Sequence, residues 1–229
     1  FAPNPYLIEL CNKYGLFIII DIPANCIPSS ILETDEISVR LRNIADRIIS
    51  SFNSNVSLIA WGISSGIIEN SPEFKAYSKL IINLIRANSD KFIYKEIDLS
   101  AKNVSTDGVD FIGIKENREN PNLSEVKFQI LNKLTEIKGK PIFISYGMLV
   151  IPDNNNGYSD PLSIEHQAYY IQSINTIIKE LNLAGGVIWS FNDYELNSPI
   201  MILNHPEQYL CTSGIVDMNR SQRKSFFTL

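Results

Sequence analysis

Six short apolar runs alternate with amphipathic segments along the chain, and this alternation restricts the fold more than any other feature. The runs are rich in β-branched and aromatic residues, and most are almost continuously apolar, as strands buried on both faces must be. They cover residues 16–21, 56–64, 92–97, 109–115, 141–146 and 186–191. Strands that alternate with helices pair in parallel through right-handed crossovers. The sequence therefore predicts an α/β protein built on a parallel sheet.

Four segments between the runs carry apolar residues at helical spacing. The first comes after a candidate cap at Thr34, and the second comes after Ser71 and Pro72, a cap and a first-turn proline. Gly139 ends the third segment, and the fourth covers residues 164–181. These signals predict a helix in each segment.

The residues directly after the first run distinguish an open sheet from a closed barrel. No phosphate-binding glycine pattern is present there, and Asp21-Ile-Pro-Ala-Asn stands in its place. We therefore expect a (β/α)8 TIM barrel, with residues 1–229 forming one domain from the helix before strand 3 to the start of the last helix. Six strands do not close an eight-stranded barrel. The first two strands are expected from an N-terminal part of the same polypeptide or from a partner chain.

The charge balance, the short apolar runs and the spacing of the Cys and His residues argue against several kinds of partner. The chain has 20 Lys and Arg against 25 Asp and Glu, and no basic run marks a nucleic-acid or membrane surface. No apolar run is long enough to span a bilayer. The three cysteines and two histidines, His166 and His205, do not follow metal-ligand spacing. We expect no nucleic acid, no membrane span, no metal and no cofactor.

Six stretches of the chain follow the order of the motifs of one barrel family. They are residues 6–21, 55–66, 140–147, 163–171, 185–194 and 214–220, and one of them reads Lys140-Pro-Ile-Phe-Ile-Ser-Tyr146-Gly. Together they resemble the catalytic barrel of family 2 glycoside hydrolases, the β-galactosidase and β-glucuronidase group. The resemblance implies a TIM barrel descended from enzymes that cleave glycosidic bonds.

The resemblance also implies that both catalytic carboxylates have been lost. In the family, the fourth strand ends in Asn-Glu, whose Glu is the general acid/base, and this chain has Ser65-Gly66 there. The nucleophilic Glu of the seventh strand is matched by Tyr146 or by a deletion. Retaining hydrolysis needs two carboxyl groups about 5 to 5.5 Å apart. We therefore expect no catalytic residue among the matched positions and a degenerate, non-catalytic member of the family.

A sugar-binding mouth is still expected, because barrel enzymes place their sites at the carboxyl ends of the strands. An aromatic wall with polar neighbours suits a sugar ring. For Trp61 and Trp189, packing in the core is the alternative to contact with a ligand. In the resembled family, the residue that matches Asp193 is usually structural. The predicted ligand-binding residues are Asp21, Trp61, Ser65, Glu69, Lys115, Tyr146, Trp189, Asn192 and Asp193.

This pattern is compatible with three functions. The first is a carbohydrate-binding or assembly module without catalysis. The second is an active retaining glycosidase with a relocated carboxylate, and the third is a purely structural subunit of a larger assembly. The carboxylates near predicted strand ends that the second function could use are Asp21, Glu69, Glu96, Asp98, Glu116, Asp193 and Glu195.

Overall fold

A computed structural model of the chain describes residues 3–24, 27, 29–32, 34–63, 71–102, 104–116, 122–195 and 210–229. The helices within these residues are α1 (Pro5–Tyr14), α2 (Ser29–Leu32), α3 (Asp35–Phe52), α4 (Pro72–Asn88), α5 (Leu123–Glu136) and α6 (Ile164–Glu180), followed by a 3₁₀-helix at Lys224–Thr228. The strands are β1 (Ile18–Asp21), β2 (Leu58–Gly62), β3 (Phe92–Asp98), β4 (Phe111–Glu116), β5 (Ile142–Tyr146), β6 (Gly185–Ile188), β7 (Tyr194–Glu195) and β8 (Leu210–Cys211).

The first six strands are hydrogen-bonded in chain order, β1-β2-β3-β4-β5-β6, whereas β7 and β8 form an antiparallel pair of their own. The pairs β1/β2, β2/β3 and β5/β6 are parallel. Each predicted apolar run overlaps one of the six strands, with ends that differ by a few residues. The prediction of an α/β fold is confirmed, and its six-stranded parallel sheet is consistent with part of a TIM-like barrel.

The chain divides into two compact units, Phe1–Ile114 with Glu136–Pro141 and Lys115–Thr135 with Ile142–Leu229. In the first unit, α3 packs on α4, and Ile81 and Ile85 of α4 are fully buried. Removing one such side chain from water stabilises the fold by about 1.5–3 kcal/mol. Ser71 caps α4 as predicted, since its hydroxyl accepts a 3.1 Å hydrogen bond from the Phe74 amide.

Thr34 stands at the N-cap of α3 without making a side-chain cap bond. Its hydroxyl instead donates to the carbonyl of Ile31 in the preceding helix, at 2.9 Å. The Thr34 hydroxyl therefore binds the short helix α2, which the sequence pattern did not predict, and makes no hydrogen bond to the first turn of α3.

In the second unit, α6 packs against the 3₁₀-helix and β6. The buried amide of Gln167 fixes the C-terminal segment to α6, because its nitrogen donates to the carbonyls of Met148 and Gly214 and its oxygen accepts from Ser225. Buried polar groups satisfied in this way hold one packing arrangement in place.

Among the described residues, none of the helices combines the length and apolar character needed to cross a bilayer. Over the same residues, no group of three or more His, Cys, Asp or Glu side chains is placed to hold a metal ion.

Candidate functional site

Three neighbouring strands of the first unit contribute to one polar cluster. Asp21 of β1 is in register with Gly62 of β2, and Gly62 is in register with Tyr94 of β3. The Tyr94 hydroxyl donates a 2.5 Å hydrogen bond to the Asp21 carboxylate. Glu96 lies two residues further along β3, so it is on the same face of the strand as Tyr94. We call Asp21, Tyr94 and Glu96 the acid cluster.

Gly62 makes the Asp21–Tyr94 hydrogen bond possible by leaving the space between the two side chains empty. A Cβ atom at this position would lie 1.9 Å from the Asp21 oxygen and 2.4 Å from the Tyr94 ring. Any other residue would therefore displace one or both partners. The Phe111 ring of β4 stacks on Tyr94, with centroids 5.5 Å apart, and holds the phenol in place.

The environment of the acid cluster raises the pKa values of both Asp21 and Tyr94. Burial raises the pKa of Asp21 above its ordinary value, and the negative charge of Glu96 raises it further, against the opposing effect of the Tyr94 hydrogen bond. Burial also raises the pKa of Tyr94, and the Asp21 charge adds to the effect. Tyr94 is therefore a donor at neutral pH, and Asp21 is a carboxyl that holds its proton more readily than an exposed aspartate does.

Trp61 lies on the opposite side of β2 from this cluster. Its side chain is fully buried, and the indole N–H donates to the Ser89 hydroxyl at 2.9 Å. Ser89 in turn donates to Asn53, which comes directly after α3. This placement is that of a core residue between the sheet and its helices, the alternative considered for Trp61 from the sequence.

Tyr146 of β5 points toward α6. Its hydroxyl donates a 2.7 Å hydrogen bond to Asn175 of α6, and its ring meets Tyr170 edge-on, with centroids 6.2 Å apart. Burial raises the pKa of Tyr146 to about 12. The phenol is therefore protonated at neutral pH and is enclosed by a helix, which does not suit a nucleophile.

Ser145 is a residue that the sequence pattern did not single out. Since successive side chains of a strand point to opposite faces, Ser145 projects from the face of β5 opposite to the one where Tyr146 meets α6. The sequence already indicated this difference, because the adjacent residues Ser145 and Tyr146 of one strand must point to different faces.

An aromatic pair lies just after β6 in the second unit. Trp189 is 54% exposed, and its backbone N–H donates to the Tyr146 carbonyl at 2.8 Å. The Trp189 ring meets Tyr194 in a T-shaped contact with centroids 6.3 Å apart. Asn192 is half-buried, and its side-chain amide donates to the carbonyl of Asp193. Trp189 and Tyr194 therefore form an ordered aromatic surface that faces solvent.

Asp193 is buried and its carboxylate is already occupied. Arg223 binds it through two hydrogen bonds of 2.8 and 2.6 Å, and the Gly214 amide donates to it at 3.0 Å. The Arg223 guanidinium also donates to the carbonyl of Thr212. Asp193 therefore joins the turn after β6 to the C-terminal segment, which is the structural role that the resemblance implied.

Four further predicted residues lie in the described part of the chain. Lys115 is half-buried on β4, next to the buried Glu116. Asp98 is exposed and accepts hydrogen bonds from the amide and hydroxyl of Ser100, and Glu195 is exposed on β7. The predicted residues that lie outside the described part of the chain are Ser65, Gly66, Glu69 and His205.

Solved structures match all or nearly all of this chain at low sequence identity. β-Glucuronidase from Bifidobacterium dentium, complexed with coumarin-3-O-glucuronide, matches all of this chain and 38% of its own, with a TM-score of 0.85 and 18% identity. Ruminococcus gnavus β-glucuronidase matches with a TM-score of 0.86 at 15% identity, over 100% of this chain and 42% of its own. A GH2 β-galacturonidase from Eisenbergiella tayi bound to galacturonate matches with a TM-score of 0.85 at 16% identity, over 99% of this chain and 42% of its own.

No protein-family model and no curated protein sequence matches the chain. The chain therefore has a fold like that of part of these glycoside hydrolases, and it spans about two-fifths of the length of each of the three.

Proposed function

We propose that this chain is a glycoside-hydrolase-like barrel domain that binds carbohydrate and does not hydrolyse it. The observation that carries the proposal is Trp189, whose ring is exposed at the end of β6 beside Tyr194. An exposed indole suits the apolar face of a sugar ring.

Two residues support the absence of hydrolysis. Tyr146, at one candidate nucleophile position, is a protonated phenol bound to Asn175. Gly66, at the matched acid/base position, has no side chain that could protonate a leaving group. Hydrolysis with retention needs a carboxyl group at each position.

A binding experiment tests the first part of the proposal. Isothermal titration with galactose, glucuronic acid, mannose and glucose should detect at least one complex. Trp189→Ala should weaken it about tenfold, because the stacking surface is lost. Phe128→Ala removes another exposed aromatic ring of the second unit and is the matched control. Absence of binding to every sugar would favour a purely structural subunit.

An active glycosidase with a relocated carboxylate is the second candidate, and the acid cluster favours it. Burial raises the pKa of Asp21, which is the direction a general acid needs, and the charge of Glu96 raises it further. Nitrophenyl glycosides and natural oligosaccharides test this candidate. We expect no turnover. Turnover that Asp21→Asn, Glu96→Gln or Glu69→Gln abolishes, and that Tyr146→Phe leaves unchanged, would replace the first proposal with this one.

We also propose that further strands cover β1. This strand stands at one end of the strand order, and the side chains that lead into it, Leu16 and Phe17, are largely exposed. Exposed edges and apolar side chains of this kind are normally covered. The strands would come from another part of the same polypeptide or from a partner chain, and the complete encoded sequence tests which.

A further inference from the structure

A shallow cavity of about 230 Å³ lies between the beginning of α5 and the first turns of α6, within the second unit. Its walls are formed by Asn122, Leu123, Ser124, His166, Tyr169 and Tyr170. We propose that this cavity is a second sugar subsite, which takes one neutral pyranose ring stacked on Tyr169. The proposal concerns a site that does not contain Trp189.

The aromatic wall of the cavity is fixed before any ligand arrives. Tyr169 is about half exposed, and its ring is held by T-shaped packing with Tyr158 and by a tilted contact with His166, each with centroids 6.2 Å apart. The His166 ring is itself fixed, because Nδ1 lies 2.7 Å from the Tyr158 carbonyl. A rigid, amphipathic ring is a low-entropy surface for binding.

The loop that carries Tyr158 is equally constrained. Ser163 donates through its hydroxyl to the Gly157 carbonyl at 2.7 Å, and the Gly157 amide donates to Glu165. Glu165 also forms an ion pair with Lys224. The loop over residues 151–162, which has the composition of a mobile segment, is therefore joined to α6 and to the 3₁₀-helix.

The polar groups of the cavity favour a neutral ligand over an anion. The amides of Ser124 and Glu125 at the start of α5 already donate to the Asn122 side chain, at 3.0 and 3.3 Å, so these two N–H groups are not offered to an anion. The Asp160 carboxylate interacts electrostatically with His166 and adds negative charge nearby. An anionic ligand would meet this charge while the two helix amides are already engaged by Asn122.

The hydroxyls of a sugar do find complementary groups. Since Nδ1 of His166 faces a carbonyl oxygen, Nδ1 carries a proton, and Nε2 is the ring nitrogen left to interact with a sugar hydroxyl. The hydroxyls of Ser124 and Tyr169 can both donate and accept. The volume is below the range typical for drug-sized ligands, which fits a single ring and not an oligosaccharide.

Saturation-transfer NMR on the whole chain with methyl β-D-glucopyranoside and methyl β-D-galactopyranoside tests the subsite. Six proteins are compared: wild type, Trp189→Ala, Tyr169→Ala, the double variant of these two, and the two controls Tyr169→Phe (made in the Trp189→Ala background) and Tyr6→Ala. In the Trp189→Ala background we expect residual binding, which Tyr169→Ala weakens about tenfold. Tyr169→Phe keeps the ring and should retain most of that binding, which separates stacking from a loss of folding. Tyr6→Ala removes an exposed tyrosine of α1 in the first unit and should change nothing.

Each outcome decides one of the two proposals. If Trp189→Ala abolishes all binding, the subsite is overturned and the proposed function stands. If Tyr169→Ala abolishes binding while Trp189→Ala has no effect, the subsite stands and the Trp189 proposal fails. Binding of inorganic phosphate in place of either glycoside, removed by Tyr169→Ala, would show an anion site and contradict the inference.

Discussion

Two aspartates near the ends of strands, Asp21 in the first unit and Asp193 in the second, have opposite environments. Asp193 is buried against the guanidinium of Arg223, with side chains only 3% and 6% exposed. Asp21 accepts a hydrogen bond from a neutral phenol, and its pKa is raised by burial. A cation that occupies both oxygens makes a carboxylate structural, whereas a phenol in the same role leaves the carboxyl able to exchange a proton.

The largest expected effect comes from breaking the charged pair. Arg223→Ala should lower the free energy of unfolding by about 3–5 kcal/mol, because it leaves the Asp193 charge buried without its guanidinium. Urea denaturation monitored by circular dichroism measures the change.

Arg40→Ala is the control for this substitution. Arg40 pairs with Glu36 at 3.2 Å on the surface of α3, where the side chains are 64% and 79% exposed. Arg40→Ala should lower the free energy of unfolding by at most about 0.5 kcal/mol. If both arginine variants cost the same, Asp193 does not depend on Arg223, and the contrast with Asp21 is lost.

A smaller effect is expected from filling the space that the acid cluster requires. Gly62→Ala should lower the free energy of unfolding by about 1–3 kcal/mol, since the new Cβ would overlap Asp21 and the Tyr94 ring. The cost should be smaller when Asp21→Ala is already present, because one of the two overlaps is then absent. Equal costs in both backgrounds would mean that Asp21 does not lie over Gly62 in solution.

The smallest expected change depends on pH. Because folding raises the pKa of Asp21 above its ordinary value of 3.8, the stabilisation belongs to the protonated form, is complete below that value, and is lost as pH rises through the folded pKa. Asp21→Asn stays neutral and can still accept from Tyr94. The variant should therefore match wild type near pH 3 and become the more stable protein as pH rises.

Urea denaturation over a pH series measures this difference, and Asp46→Asn, which alters an exposed carboxyl on α3, is the control. A wild-type protein that gains stability over the variant as pH rises would show that Asp21 is stabilised as a carboxylate. The acid cluster would then resemble Asp193, and the case for a proton donor would fall.

The sequence predicted the six strands well because each is a continuous apolar run, and such runs are needed for burial on both faces of a parallel sheet. It predicted the cap at Ser71 for a similarly local reason, since Ser-Pro sets the first turn of a helix by itself. The direction of a side chain at a strand end was harder to predict. Tyr146 was predicted at the mouth, and Trp61 either at the mouth or in the core. The two side chains pack beside Asn175 and Ser89, respectively.

The sequence by itself determined the order of the strands and helices, since hydrophobic periodicity and capping act over a few neighbouring residues. Tertiary structure alone decided which partners the polar side chains meet. Tyr94 is 73 residues from Asp21 and Arg223 is 30 from Asp193, and no local pattern encodes either hydrogen bond. Because a buried carboxyl takes its charge state from the partner that folding brings to it, the chemistry of these two aspartates is a property of the assembled sheet and loops.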